Sequence, residues 1–197
     1  MTMNPDSFEE FFSAELAAHG RALETLETAT REPLFRLVSL CADAIRAGRK
    51  IVFFGNGGSA ADAQHLATEL SVRYQHDRAP IAAMALSTDT SALTATGNDF
   101  GFEHIFARQI MALCHAGDVA IGISTSGDSD NVIRALIAAE NLGMTTAGFS
   151  GRDGGAMKAH ADPLLIVPAM ETARIQEMHI LLGHMLCAAL EQELGLI

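Results

Sequence analysis

The sequence of 197 residues contains no tryptophan, only one tyrosine, and an aromatic fraction of 6%. Its apolar fraction of 49% still allows a substantial core, built mainly from Ala, Leu, Ile, Val and Met. No apolar run approaches the roughly 18 consecutive residues of a membrane-spanning helix. The N-terminus has neither the basic stretch nor the apolar run of a signal peptide. We therefore expect a cytoplasmic protein of one domain.

Cysteine and positive charge are also scarce. Cys41, Cys114 and Cys187 lie far apart, which does not indicate a disulfide framework, and we expect reduced thiols in the core. Lys and Arg number 13 against 24 Asp and Glu, for a formal net charge of −11. This excludes a general nucleic-acid binder, which needs clustered positive charge. A small phosphorylated ligand remains compatible, because backbone N–H groups and hydroxyls can hold it.

Strand and helix patterns alternate through most of the chain. Two amphipathic helices, separated at Glu32-Pro33, are predicted to pack across the domain or against another subunit; they cover 7–28 and 32–48. Short apolar runs then predict five strands, at 51–54, 81–86, 118–123, 145–149 and 164–167. The remaining helices are predicted at 59–73, 89–96, 103–115, 130–142, 154–160 and 171–194, with Gly97-Asn98-Asp99 separating the second from the third. This alternation indicates a parallel sheet covered on both faces, with its ligand site at the carboxyl ends of the strands.

The third predicted strand runs directly into a loop rich in hydroxyls, Ser124-Thr125-Ser126-Gly127-Asp128-Ser129. A helix is predicted to begin at about Asp130. The hydroxyls, a flexible glycine and the N–H groups of a helix start can together hold an anion, and the helix dipole adds positive potential. The alternative is an ordinary turn in which Asp128 or Ser129 caps the helix.

The first predicted strand is followed by a glycine loop, Gly55-Asn56-Gly57-Gly58-Ser59-Ala60. It fits the loose dinucleotide fingerprint G-x-G-x-x-A, but the acidic residue expected at the end of the next strand is missing. Such a loop also lets a sugar approach backbone amides closely, with Asn56 and Ser59 adding hydrogen bonds. Ser59 is also predicted to cap the following helix.

Two helices carry polar residues suited to chemistry. His65 and Glu69 are one turn apart on one face, so they can converge on a metal ion or a substrate atom, or form a solvated pair. The last helix places Gln176, Glu177, His179 and His184 in an otherwise apolar sequence, where each has either a functional role or a partner in the core or an interface. Gln176 and His184 are about 12 Å apart along the helix and ~80° around it. Either the two side chains reach toward each other from both ends of the site, or they come from different subunits; we favour the second, an active site at a subunit interface.

The segments Gly55–His65, Ser124–Gly127 and Ala173–His179 resemble the SIS (sugar isomerase) domain family, and the similarity extends over nearly the whole chain. The resemblance implies a three-layer, flavodoxin-like α/β domain over residues 1–197, with a five-stranded parallel sheet. Residues 1–50, an N-terminal helix pair, would make oligomer contacts in a homotetramer, and residues 51–197 would form the sheet core. The implied partner is a small sugar phosphate, without nucleic acid or membrane.

Within that family the sequence is similar to enzymes that convert sedoheptulose 7-phosphate to D-glycero-D-manno-heptose 7-phosphate. That reaction leads to ADP- or GDP-linked heptose for lipopolysaccharide or capsule. A non-catalytic relative, the DnaA initiator-associating protein, shares the fold and much of both loops. Glu69 and His184 favour the enzyme over that binding protein.

The resemblance also implies site residues. A zinc ion, one per subunit, would be bound by His65, Glu69, Gln176 and His184, although glutamine is an unusual zinc ligand. We assign Glu69 and His184 as the catalytic acid–base pair, because enediol chemistry needs a base near both reacting carbons. The residues implied to contact substrate lie in both loops, in the break at Gly97-Asn98-Asp99 and on two helices: Asn56, Gly57, Gly58, Glu69, Asn98, Asp99, Ser124, Thr125, Ser126, Ser129 and Gln176.

Overall fold

The computed structural model describes residues 4–197. Within this range the chain forms helices α1 (Pro5–Arg46), α2 (Gly58–Ser71), α3 (Thr90–Asp99), α4 (Ala107–Leu113), α5 (Asp130–Asn141) and α6 (Thr172–Glu193). The strands are β1 (Ile51–Gly55), β2 (Ala83–Ala85), β3 (Val119–Ser124), β4 (Thr145–Gly151) and β5 (Leu164–Val167), and two 3-10 helices cover Phe102–His104 and Gly155–Ala159. All paired strands are parallel, in the order β2-β1-β3-β4-β5. This is the flavodoxin-like order, so the predicted sheet is confirmed.

The sheet divides the apolar interior into two cores, and β1 contributes to both because alternate side chains point to opposite faces. Ile51 and Phe53 belong to the core that is covered by α1, α2 and α6. Val52 and Phe54 belong to the core that is covered by α4 and α5. Burial on both faces explains why the strands read as continuous apolar runs rather than as alternating ones.

The predicted N-terminal helix pair is one helix, and the boundary at Glu32-Pro33 is wrong. Helix α1 runs for 42 residues with Pro33 inside it, although proline leaves the carbonyl four residues earlier without its N–H donor. Leu26, Leu34 and Leu37 are buried on both sides of Pro33, in the core that α1 shares with α6. Tertiary packing therefore outweighs the local cost of the proline.

The predicted break at Gly97-Asn98-Asp99 is also wrong, because these residues form the last turn of α3. The Asp89 side chain caps this helix by accepting a hydrogen bond from Ala92 N at 2.9 Å. The chain changes direction at Gly101, whose φ of 99° lies in a region that favours glycine. A turn was thus expected one glycine too early.

All three cysteines are buried as free thiols. Burial raises the pKa of Cys114 to about 11 and the pKa of Cys187 to about 12, so both remain protonated at neutral pH. No helix within residues 4–197 combines the length and hydropathy required to cross a bilayer.

His179 gives the fold a pH-dependent stability. Its side chain is almost fully buried, with Nε2 3.0 Å from the Ser150 carbonyl oxygen, and burial lowers its pKa from 6.5 to about 4. Between these values the unfolded chain binds a proton that the folded chain does not. The free energy of unfolding should therefore fall as the pH drops from about 6.5 to 4, and His179 should account for about 2 kcal/mol of that loss by pH 4.5.

Urea unfolding at pH 7 and pH 4.5 checks this prediction. The loss of unfolding free energy between the two pH values should be smaller in His179→Met than in the wild type. The exposed His115 offers a control, since His115→Gln should lose as much as the wild type. An equal loss in all three proteins would show that His179 is not the group responsible.

Candidate active site

The carboxyl ends of β1 and β3 adjoin at the centre of the sheet, where the strand order changes direction. Ligands of open α/β sheets bind at such a switch point. Two reciprocal hydrogen bonds between the Asn56 and Asn131 amides, both 2.8 Å, join the loop after β1 to the start of α5. Asn131 was not predicted as a site residue. In the sequence it is only a polar residue in the first turn of a predicted helix, which does not indicate a contact with Asn56.

The loop after β3 gathers three hydroxyls. Ser124 Oγ lies 3.4 Å from Ser126 Oγ and 3.0 Å from Ser129 Oγ. Ser129 occupies the cap position of α5, but within residues 4–197 its side chain makes no capping hydrogen bond. The hydroxyls therefore face one another at the start of α5, where the first N–H groups have no partner inside the helix and the dipole is positive. This arrangement can hold an anion, and it differs from the simple capped turn.

Gly127 and Asp128 hold this loop against the second 3-10 helix. Gly127 has a φ of 73°, and a Cβ there would lie 2.1 Å from the Gly154 carbonyl oxygen. Asp128 Oδ1 accepts a hydrogen bond of 2.9 Å from Ala156 N. Both contacts fix the loop backbone in a shape that depends on the absence of a side chain at Gly127.

Helix α2 begins one residue after Gly57, which is its cap residue and has φ 56° and ψ −121°. The predicted cap, Ser59, is instead buried inside the first turn, so that prediction is wrong. A Cβ on Gly58 would lie 2.5 Å from Gln176 Nε2. The missing side chain at Gly58 therefore lets the Gln176 amide of α6 rest on the backbone at the start of α2.

Further along the same helix pair, three of the predicted catalytic and metal-binding side chains converge. His65 Nε2 lies 2.8 Å from His184 Nε2 and 3.4 Å from Glu69 Oε1. Close packing brings the helices together here, because a Cβ on Gly183 would lie 2.5 Å from Leu66 Cδ2. His65 and His184 thus meet within one chain, and Glu69 lies beside them with its side chain 20% exposed.

Gln176 does not join this cluster. It contacts Gly58, whereas His184 contacts His65, and the two contacts lie about 10–12 Å apart along the helices. The helical spacing had predicted this separation. The four residues expected to bind zinc therefore do not surround one point in this chain.

The remaining three, His65, Glu69 and His184, have the donor types that zinc accepts. Nitrogens bound to one tetrahedral zinc at 2.0–2.1 Å lie about 3.3 Å apart, whereas the two imidazoles are at hydrogen-bonding distance. Among the described residues, no group of three or more His, Cys, Asp or Glu side chains is arranged as a metal site. The donor chemistry of the cluster fits zinc, and the imidazoles would have to separate to bind it.

One turn before His65, the Asp62 carboxyl is half-buried. Its Oδ2 has no hydrogen-bond partner among the residues that the structure describes. Burial raises the pKa of Asp62, while the neighbouring His65 lowers it by a smaller amount. A second carboxyl group thus lies on the helix that carries Glu69, and the sequence analysis did not assign it a role.

Asn98 and Asp99, also predicted to contact substrate, lie at the exposed end of α3. Asn98 Nδ2 donates a hydrogen bond of 2.7 Å to Asp99 Oδ1. Across residues 4–197, no side-chain hydrogen bond connects either residue to the two loops or to the histidine cluster. The structure therefore leaves this pair apart from the other predicted site residues of the same chain.

Comparison with known proteins gives consistent results. The family model described as the SIS domain matches residues 16–151. The chain is 59% identical over 184 residues to a phosphoheptose isomerase of Paramagnetospirillum magneticum, covering 93% of this chain and 96% of that one. It is 57% identical over 156 residues to the phosphoheptose isomerase of Aquifex aeolicus, covering 79% and 82%. The structure of phosphoheptose isomerase from Neisseria gonorrhoeae superposes with a TM-score of 0.89 at 46% identity, covering 94% and 99%.

Proposed function

The chain belongs to the SIS domain family, and we propose that it is an isomerase converting sedoheptulose 7-phosphate to D-glycero-D-manno-heptose 7-phosphate. The observation that carries the proposal is the cluster of His65, Glu69 and His184 on α2 and α6. The cluster offers acid–base groups and the loop offers an anion site. The names of the relatives support a heptose phosphate as the substrate.

The hydroxyl loop holds the phosphate in this proposal. The Ser124, Ser126 and Ser129 hydroxyls, with that of Thr125 beside them, donate to phosphate oxygens, and the start of α5 adds N–H groups. Basic side chains are not required for this, which agrees with the net charge of −11. Phosphate anchored at the strand ends leaves the carbonyl end of the sugar to extend toward α2 and α6.

The isomerisation then needs proton movements at two carbons and two oxygens. Glu69 removes a proton from C1, and His184 supplies a proton to O2, giving a cis-enediol. Glu69 returns its proton to C2 while His184 accepts the proton of O1, so both groups end as they began. His65, at 2.8 Å from His184, holds that imidazole in place.

We extend the proposal to a zinc ion, one per subunit, that His65, Glu69 and His184 would hold before substrate binds. Glu69 and His184 would have to release the metal to transfer protons, because a carboxylate or imidazole bound to zinc is a poorer base than a free one. Gln176 joins only if it moves away from Gly58. When bound, the zinc would polarise the C2 carbonyl group as a Lewis acid.

The proposed assembly is a cytoplasmic homotetramer with active sites at subunit interfaces. A groove of about 940 Å³ between α1 and α6 supports this, since its lining includes Leu23, Phe35 and Met185, all substantially exposed. The N-terminal half of α1 exposes further large apolar side chains, among them Phe8, Phe11, Phe12 and Leu16. Contiguous apolar surface of this kind is typical of interfaces. The exposed Asn98 and Asp99 are then available to complete a neighbouring subunit's site.

A turnover assay tests the function and the metal together. The purified protein is incubated with sedoheptulose 7-phosphate, before and after dialysis against a chelator and after zinc is restored. We expect the aldose product, with turnover lost on chelation and regained with zinc. Full turnover after chelation would refute the zinc proposal, and no turnover in any sample would favour a non-catalytic SIS protein.

Replacing Ser124 and Ser126 together by Ala should mainly raise KM. Loss of two hydrogen bonds to a charged phosphate, at about 1.5 kcal/mol or more each, corresponds to a KM roughly 100-fold higher. Steady-state kinetics measure this, with Ser91→Ala, an exposed serine of α3, as the control. An unchanged KM would mean that the hydroxyl loop does not hold the phosphate.

A further inference from the structure

We propose that Tyr74 is a positioning residue that orients the His184 imidazole, and that the buried Arg78–Glu191 ion pair holds Tyr74 in place. The inference rests on the proposed function, because it assigns a supporting role to residues around the catalytic His184. None of the three supporting residues was singled out by the sequence analysis.

The Tyr74 ring lies against one face of the His184 ring. The centroids are 5.5 Å apart, and the planes are inclined by 28°. On another side, His65 meets His184 edge-on, with centroids 5.1 Å apart and planes at 67°. Two aromatic neighbours in different orientations restrict rotation of the His184 ring. Catalytic groups need this kind of restriction, because small errors of placement lower the rate.

The stacked ring of Tyr74 makes this contact, rather than its hydroxyl group. No side-chain hydrogen bond within residues 4–197 involves the Tyr74 hydroxyl, whereas its backbone N–H donates to Glu191 Oε1 at 3.3 Å. Phenylalanine should therefore replace Tyr74 with little effect, and an aliphatic residue should not. This gives the proposal a matched pair of variants.

A buried ion pair fixes the segment that carries Tyr74. Arg78 Nε lies 2.9 Å from Glu191 Oε1, and both side chains are only 1% exposed. The Arg78 guanidinium also donates to the carbonyl oxygens of Glu69 at 2.9 Å and Leu70 at 2.8 Å. It thus satisfies carbonyl groups at the end of α2, as basic residues commonly do at helix ends.

These contacts connect the two helices of the active site. Arg78 binds the end of α2 just beyond Glu69, and Glu191 lies on α6 two turns beyond His184. Tyr74 is held between them through Glu191. A charge pair buried this fully depends on both partners, because removal of one leaves the other unpaired. The pair therefore holds Tyr74 in place between the ends of α2 and α6.

Kinetics of two Tyr74 variants test the proposal. Tyr74→Leu should lower kcat about 10-fold with KM changed less than about 2-fold, and Tyr74→Phe should keep both constants within about 2-fold of wild type. A residue that only filled the core would lower thermal stability in Tyr74→Leu without this selective loss of kcat. Unchanged kcat in Tyr74→Leu would overturn the proposal, as would an equal loss in Tyr74→Phe.

A readout independent of turnover separates this inference from the proposed function. In protein with ¹³C-labelled histidine, the His184 ring signals, identified by their loss in His184→Gln, should shift in Tyr74→Leu and stay in place in Tyr74→Phe. If the signals behave in this way but the wild type shows no isomerase activity, the proposed function is refuted and the contact between Tyr74 and His184 still stands. Unshifted signals together with normal wild-type turnover would refute the positioning role alone.

A double-mutant cycle tests the ion pair. Glu191→Gln keeps the shape of the side chain and removes its charge, and it should lower kcat in the same direction as Tyr74→Leu. Because both changes act through one contact, the double variant should be only about as slow as Tyr74→Leu alone. Losses of kcat that multiply in the double variant would show that Glu191 does not act through Tyr74.

Discussion

The Glu69→Gln variant is expected to lose about 10³-fold in kcat, within the range of rate losses for a general base. Glutamine keeps the shape of the side chain, but its amide cannot accept a proton from C1 or return one to C2. The KM should change little, because the proposed phosphate site is the hydroxyl loop, away from Glu69. Steady-state kinetics on the heptose phosphate and the elution volume on size-exclusion chromatography measure both effects.

A matched control is Glu140→Gln. Glu140 lies in the last turn of α5, at the end away from the hydroxyl loop, and its side chain is 66% exposed. This variant should retain normal kcat, since the same chemical change is made away from the strand ends that carry the site. If Glu69→Gln retained near-normal kcat, Glu69 would not be the base, and the proton transfer would have to be assigned to another residue such as Asp62.

Replacing His184 by Gln has the second largest expected effect, a loss of about 10²-fold in kcat. The amide can still form hydrogen bonds near His65, but it cannot both donate a proton to O2 and accept one from O1. Thermal unfolding should be little changed, because the ring is only half-buried. Kinetics across pH 6–9 measure the effect.

The exposed His115 lies just before β3, at the amino ends of the strands and away from the candidate site. His115→Gln therefore controls for the loss of a histidine as such. It should match the wild type at every pH. A His184→Gln variant with wild-type kcat would remove His184 from the mechanism, and with it the reason for Tyr74 to position that ring.

The central part of the fold could be predicted from the sequence because its signals are local. Ile51–Phe54 is a short apolar run that ends at a glycine, and the structure has a buried strand there. The loop after β3 and the helix that begins at Asp130 were also found from local patterns. β1 contributes to both cores and α5 packs its apolar side chains into one of them, so local preference and tertiary packing agree.

The largest error occurs where long-range contacts decide the outcome, and a second one concerns a local turn. Pro33 predicted a helix end, but burial of Leu34 and Leu37 against α6 keeps α1 continuous. Gly97 predicted a break, but the helix ends only before Gly101. The cost of Pro33, roughly 3 kcal/mol, is smaller than what tertiary packing supplies, whereas the end of α3 follows from the local turn at Gly101.

The candidate site divides in the same way. The pairing of His65 with Glu69 follows from helical spacing, and so does the distance between Gln176 and His184. The meeting of His65 with His184 depends on how α2 packs against α6, which no local pattern specifies. Asn131 and Arg78 contact partners 75 and 113 residues away in sequence, so their roles became visible only in the structure.

The most direct measurement is isomerisation of sedoheptulose 7-phosphate in D₂O, followed by NMR. Wild-type protein should form the aldose 7-phosphate with deuterium at C2, because Glu69 exchanges its proton with solvent while the enediol exists. The Glu69→Gln variant should form labelled product about 10³-fold more slowly. The absence of aldose product with the wild-type protein would contradict the central claim that this chain is a heptose-phosphate isomerase.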